Sequence, residues 1–134
     1  MDTNKISTTI IGRHGEIAAA DYLVKNGYKI LKMNFRYSHR ELDIIAAKDN
    51  YIHFVEVKSR TNNPYYFKTY GLPKRAVNRT KQRFIISAAN HYIRTHNIKN
   101  KLYSLDVIEV YFKPSGGKLP EIDRINHLIG AYYA

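Results

Sequence analysis

Cysteine is absent from this chain of 134 residues. That excludes disulfides, thiolate metal sites and thiol nucleophiles together. Long apolar runs are also missing. None exceeds four residues, far short of the ~20 that a membrane-spanning helix needs. Met1–Ile10 lacks the uninterrupted apolar centre of a secretory leader, so a cytoplasmic protein without a membrane partner is expected. Acid is scarce: 11 Asp and Glu face 22 Lys and Arg, for a net charge of +11. An excess of that size attracts polyanions, nucleic acid being the commonest; the plain alternative is a basic but inert surface. No solitary basic tail carries the charge, so it belongs to the folded body. What is present is 44% hydrophobic and 13% aromatic residues, enough for one domain over residues 1–134 with its own core.

Residues 10–26 read as a helix stopped by Gly27. A spacing of about 100° per residue puts Ile17, Ala19, Ala20, Leu23 and Val24 on one stripe, with His14, Asp21 and Lys25 opposite. Glu16 intrudes on that stripe. Three β-type runs follow, Lys29–Tyr37, Glu41–Ala47 and Tyr51–Ser59, joined by short polar links as in an antiparallel meander. Arg60–Pro73 has no clean periodicity, and a loop that long in a small domain is usually functional or mobile. Its Tyr65, Tyr66, Phe67 and Tyr70 with Lys68 can stack unpaired bases or simply pack beneath the loop. Lys74–Thr95 reads as a second helix with Val77, Phe84, Ile85, Ala88 and Tyr92 on its buried side, and Lys81 intrudes there as Glu16 does in the first. Leu102–Phe112 is another strand, and the tail from Glu121 holds one more short strand or helix. Helices packing on strands make an α/β layer.

Glu56-Val57-Lys58 lies inside the apolar run Tyr51–Ser59. Strand side chains alternate, so Ile52, Phe54, Glu56 and Lys58 share one face and His53, Val55 and Val57 the other. Thirteen residues upstream, Asp43 interrupts the run Leu42–Ala47. Strands rarely bury charge without a partner. Mg²⁺ is a hard, octahedral ion that keeps several waters, so one or two carboxylates and substrate phosphate oxygens suffice to hold it. Asp43 and Glu56 on neighbouring strands can supply the carboxylates and the Val57 carbonyl a third ligand. Lys58 can position the attacking water or neutralise charge at the phosphorus; between two carboxylates it stays protonated unless burial wins, which favours an electrostatic role over a general base. Glu16 can orient a metal-bound water or help hold a second ion. Taken singly, each residue has an ordinary explanation: a cross-strand ion pair for Glu56 and Lys58, a helix-start carboxylate for Glu16, a snorkelling stem for Lys81. Arg36, Arg40 and Arg60 flank the site and can grip phosphates or be plain surface. Six histidines are scattered, His14, His39, His53, His91, His96 and His127. None forms the i, i+4 pair of a helical zinc site, and they read as surface or packing residues.

Gly12-Arg13-His14-Gly15-Glu16 with Ala18-Ala19 and Tyr22-Leu23, then Gly27-Tyr28 with Ile30-Leu31, resembles the opening of the YraN family. So do Asn34-Phe35-Arg36, Glu41–Ala46 and Phe54–Arg60. The resemblance continues through Val77, Lys81, Ala88 and Tyr92 to Leu105-Asp106-Val107 and, more weakly, His127–Tyr132. It covers nearly the whole chain and is most specific in the first sixty residues. The family is similar to the restriction-endonuclease-like nucleases, archaeal Holliday-junction resolvases included. The resemblance implies an α/β fold with a restriction-endonuclease-like core, a mixed central sheet flanked by helices, and a PD-(D/E)xK site of Glu16, Asp43, Glu56 and Lys58. It also gives Lys81 the role of a phosphate contact. Leu42 stands where the motif's name puts proline, and Arg40 where relatives commonly carry glycine. The expected activity is Mg²⁺- or Mn²⁺-dependent endonucleolytic cleavage of branched or structured DNA, by a monomer or a homodimer. The alternatives are a nucleic-acid-binding module that keeps the fold without catalysis, and an interaction subunit for acidic partners.

Overall fold

The first helix, α1 (Thr8–Lys25), ends in a motif the sequence announces. Gly27 takes φ = 88°, its N–H donates to the Val24 carbonyl at 3.1 Å, and the Tyr28 N–H reaches back to Leu23 at 2.9 Å. These paired bonds satisfy carbonyls that a helix end leaves open, and the chain turns directly into β1 (Lys29–Tyr37). Two tight hairpins then produce β2 (Arg40–Lys48) and β3 (Tyr51–Thr61), with Ser38 and Asp49 at φ of 58° and 53° in the turns. After β3 comes α2 (Arg79–Thr95), whose N-cap Asn78 accepts the Lys81 N–H at 2.9 Å. β4 (Leu102–Phe112) and β5 (Ile122–Leu128) complete the order. The computed structural model describes residues 8–61, 78–114 and 120–133. The aromatic cluster Tyr65–Tyr70, Val77 and the start expected for the second helix at Lys74 lie outside them.

The architecture is α/β: one five-stranded mixed sheet in the order β1-β2-β3-β4-β5, with α1 on one face and α2 on the other. β1–β3 form the expected meander. β4 then pairs parallel to β3 from Tyr51↔Leu102 to Thr61↔Phe112, the arrangement a helical crossover produces, and β5 returns antiparallel. One apolar cluster joins Ala18, Ala19, Leu23 and Tyr28 to Ile44, Val55, Ile108 and Val110. The other joins Ile85, Ala89 and Tyr92 to Leu42, Ile45, Phe54 and Val107. The alternation read in β3 is therefore correct.

The stripe read for α1 is only half right. Ala19 and Leu23 are buried, but Ile17 and Val24 are 66% and 57% exposed. The contact face runs instead through Gly15, Ala18, Ala19 and Leu23. Small residues bring the helix axis close to the sheet. A Cβ at Gly15 would stand 3.0 Å from the Cβ of Ser59 and collide with its hydroxyl. Close approach, rather than bulk, selects this face.

Candidate active site

Asp43 sits where β2 loses its regularity. Leu42 joins the apolar cluster on the α2 side together with Ile45, while Ile44 between them joins the α1 side, so the pleat slips phase at residue 43. Opposite it on β1, Asn34 adopts φ = 51° and is omitted from a register that otherwise runs Met33↔Ile44, Phe35↔Leu42. On the other flank, pairing with β3 stops at Ile44↔Val55. Two residues further, the Val57 N–H donates to Oδ2 of Asp43 at 2.8 Å. The carboxylate thus stands in for a backbone carbonyl as β2 and β3 separate. Local irregularities of this kind re-aim side chains at sheet positions.

Into the gap come groups from both faces. Glu16 of α1 shares a hydrogen bond with Asp43. Glu56 of β3 is buried, with Oε1 3.3 Å from Lys58 Nζ and 3.6 Å from Lys81 Nζ of α2. Its other oxygen, Oε2, is buried without a hydrogen-bond partner among the described residues. Gly12, Glu16, Asn34, Glu41, Asp43, Glu56, Val57, Lys58, Ser59 and Arg60 line one open cleft of about 430 Å³.

Burial and neighbouring carboxylates raise the proton affinity of Asp43 and Glu16. Burial, then the charge of Glu56, push Asp43 up to about 8, against the opposing Val57 N–H bond. Glu16 is raised as well, first by burial; the hydrogen bond with Asp43 and the Arg13 guanidinium pull the other way, while Glu41 and Glu56 add to the rise. At neutral pH Asp43 therefore keeps a proton and donates it to Glu16. A hard cation among these oxygens would replace that proton and give Glu56 Oε2 a partner, so the donor set fits a divalent, oxygen-seeking ion.

All four residues of the expected PD-(D/E)xK set, and Val57, thus line the same cleft. The flanking cations separate. Arg60 lines the cleft and donates from Nη1 to the Ser59 carbonyl. Arg36 is exposed at the β1–β2 ladder, 3.8 Å from Glu41, and Arg40 closes the same hairpin against Tyr37. Lys81 is held against Glu56 from the α2 side. Sequence reasoning passed over Asn34, Glu41 and Arg13. The available signal was weak: Asn is unusual inside a strand and tolerates the left-handed backbone found here.

It also failed for two histidines. His53 and His127 are not scattered. Both lie 2.7 Å from Oδ2 of buried Asp106, through Nδ1 and Nε2 respectively. Burial alone would raise the Asp106 carboxyl, but hydrogen bonds from His127, His53, Ser104 and the Gly130 N–H hold it well below the usual carboxylate range.

Among the described residues no helix is long and apolar enough to cross a membrane. Residues 15–110 match the model of a family described as uncharacterised protein family UPF0102. The chain is 41% identical to a UPF0102 protein of Caldanaerobacter subterraneus over 96% of its length and 98% of that protein's. It is 44% identical to one of Clostridium perfringens, over 81% of this chain and 84% of the relative. It is 48% identical to one of Clostridium acetobutylicum, over 74% and 77%. With every lining residue of the cleft except Gly12 inside the matched span, the chain belongs to UPF0102, the YraN family.

Proposed function

We propose that this chain is a metal-dependent endonuclease, a single domain over residues 1–134 with a restriction-endonuclease-like core, that hydrolyses phosphodiester bonds in branched or structured DNA. One observation carries the reading. Carboxylates from α1, β2 and β3 meet in one open cleft beside Lys58, and Glu56 Oε2 has no partner there among the described residues. Asp43 and Glu56 would hold Mg²⁺ or Mn²⁺, with the Val57 carbonyl at the same rim and Glu16 oriented toward Asp43. When bound, the ion supplies Lewis-acid polarisation of the phosphoryl oxygens and a water acidic enough to attack.

The remaining work belongs to the chain's own side chains. Asp43 gives up its proton as the site fills, which makes occupancy depend on pH. Lys58, anchored at 3.3 Å on Glu56 Oε1, neutralises charge building on the phosphate. Lys81 holds the same oxygen from the α2 side, which fixes the Glu56 carboxylate through Oε1 and leaves Oε2 unpartnered among the described residues. Arg60 at the rim and the net charge of +11 favour a polyanionic substrate.

The test is to incubate the full chain with Mg²⁺ or Mn²⁺ and labelled junction, flap and duplex DNA. Cleavage is expected on the junction or flap, falling by roughly 10²–10³-fold in Glu56→Gln and Lys58→Ala. Equal cutting by the parent and both variants refutes the assignment. Salt-sensitive binding with no cutting by any preparation would instead favour a non-catalytic nucleic-acid module.

A further inference from the structure

At the other end of β3 from the cleft, three adjacent strands each contribute one metal-ligating side chain to the α1 face: His53 from β3, Asp106 from β4 and His127 from β5. Their ligand atoms lie within 4.8 Å of one another. We propose that this triad is a transition-metal site, with Zn²⁺ the ion it fits best, separate from the carboxylate cleft. Two imidazoles and one carboxylate suit zinc and its neighbours, whereas Mg²⁺ prefers oxygen alone.

The surroundings make the case stronger than the triad by itself. Protein metal sites fix their ligands through outer partners, and here the outward atoms of two ligands are held. Oδ1 of Asp106 accepts from Ser104 Oγ at 2.5 Å and from the Gly130 N–H at 3.1 Å, which leaves Oδ2 for the centre. Nδ1 of His127 is 3.3 Å from the Tyr22 hydroxyl, which leaves Nε2 for the centre. His53 turns Nδ1 inward, and its Nε2 has no hydrogen-bond partner among the described residues. The Tyr28 ring stands edge-on to His53 at 5.0 Å and tilted to His127 at 5.8 Å, so one side of the centre is walled by an aromatic ring. His53 also borders open space: with Tyr51, Tyr103, Ser104, Gly130 and Tyr132 it lines a recess of about 490 Å³.

Without an ion, the two ring N–H groups point at Oδ2. With one, each imidazole carries its proton on the outward nitrogen, and the His127 proton is then donated to the Tyr22 hydroxyl oxygen. Bonds of ~2.0–2.1 Å in a tetrahedral arrangement require nitrogen and oxygen to stand ~3.3 Å apart, so the present 2.7 Å spacings widen by about half an ångström. Three protein ligands leave the fourth position to water. The ion would tie three strands together beneath the end of α1.

The experiment uses the full-length chain stripped with chelator, then dialysed against micromolar Zn²⁺ or Co²⁺. Metal content, the visible ligand-field bands of Co²⁺ and the melting temperature are read. One equivalent retained against excess Mg²⁺, with a raised melting temperature, is expected for the parent and for the double variant D43N/E56Q. Loss of the equivalent is expected in His53→Gln, a milder change that guards against misfolding, and in His127→Ala. Tyr22→Phe, which keeps the ligands, should weaken zinc binding by roughly 10–100-fold. Retention by His53→Gln and His127→Ala, loss in D43N/E56Q, or no retained zinc in the parent would each overturn the site.

Discussion

Asp43→Asn separates the charge of this residue from its hydrogen bonds. The amide oxygen can still accept the Val57 N–H, and the amide NH₂ can donate to Glu16 as the protonated acid does. Only the ionisable proton is lost. In the folded parent, burial and Glu56 hold the Asp43 carboxyl at about 8, whereas an unfolded aspartate titrates near 3.8. A raised carboxyl lends stability that is complete below its unfolded value and drains away as pH climbs through the folded one. At ~1.4 kcal/mol per pH unit the displacement amounts to on the order of 5 kcal/mol. Water entering the open cleft, with its higher effective dielectric, reduces this to about 2–3 kcal/mol. Urea and thermal unfolding in metal-free buffer from pH 4 to pH 9 should therefore show parent and variant parting from about pH 4. By pH 8 the variant leads by about 2–3 kcal/mol, or ~6–15 °C in melting temperature for a chain of this size. Adding Mg²⁺ at pH 8 should narrow the gap by stabilising the parent alone. A variant no more stable than the parent at pH 8 without metal would refute the claim that the cleft carboxylates crowd one another.

Two further outcomes follow from packing elsewhere. Gly15→Ala must push α1 off Ser59; unfolding free energy should drop by ~1–3 kcal/mol, and any cleavage activity should fall further than stability does, because Glu16 moves with the helix. Asp106→Ala strips two buried imidazoles of their acceptor and should cost about 3–5 kcal/mol by chemical denaturation at pH 7. Because the folded Asp106 carboxyl is lowered, its contribution is present above the ordinary aspartate range and is lost as pH falls below ~4, so parent and variant should converge in acid.

Much of this was legible along the chain. β1 and β4 have the bounds read for them along the chain, and each pairs with a neighbouring strand from its first residue to its last. α1 was harder. Counting apolar residues favours Ile17 and Val24, but the face that touches the sheet is chosen by how closely the backbone can approach, and that is set by Gly15 and the alanines. Asp43, Glu56 and Lys58 lie within sixteen residues of sequence on two paired strands, so their meeting could be anticipated from one hairpin. His53, Asp106 and His127 could not be joined this way. Their convergence depends on β4 crossing to lie parallel to β3 and on β5 folding back over it, and no local pattern encodes that pairing. The phase slip at Asp43 was equally hidden, since it arises from neighbours on both flanks.

The bond from the Val57 N–H to Asp43 has a consequence for how sequences of this kind can drift. A lineage that abandoned catalysis would still need an acceptor at residue 43, because removing it strands a backbone donor inside the sheet. Asparagine could inherit the position at little penalty, but alanine or leucine could not. Retention of an acidic or amide side chain at that one place is thus poor proof of a living enzyme, and the oxygen of Glu56, which props up no backbone, is the more telling thing to watch.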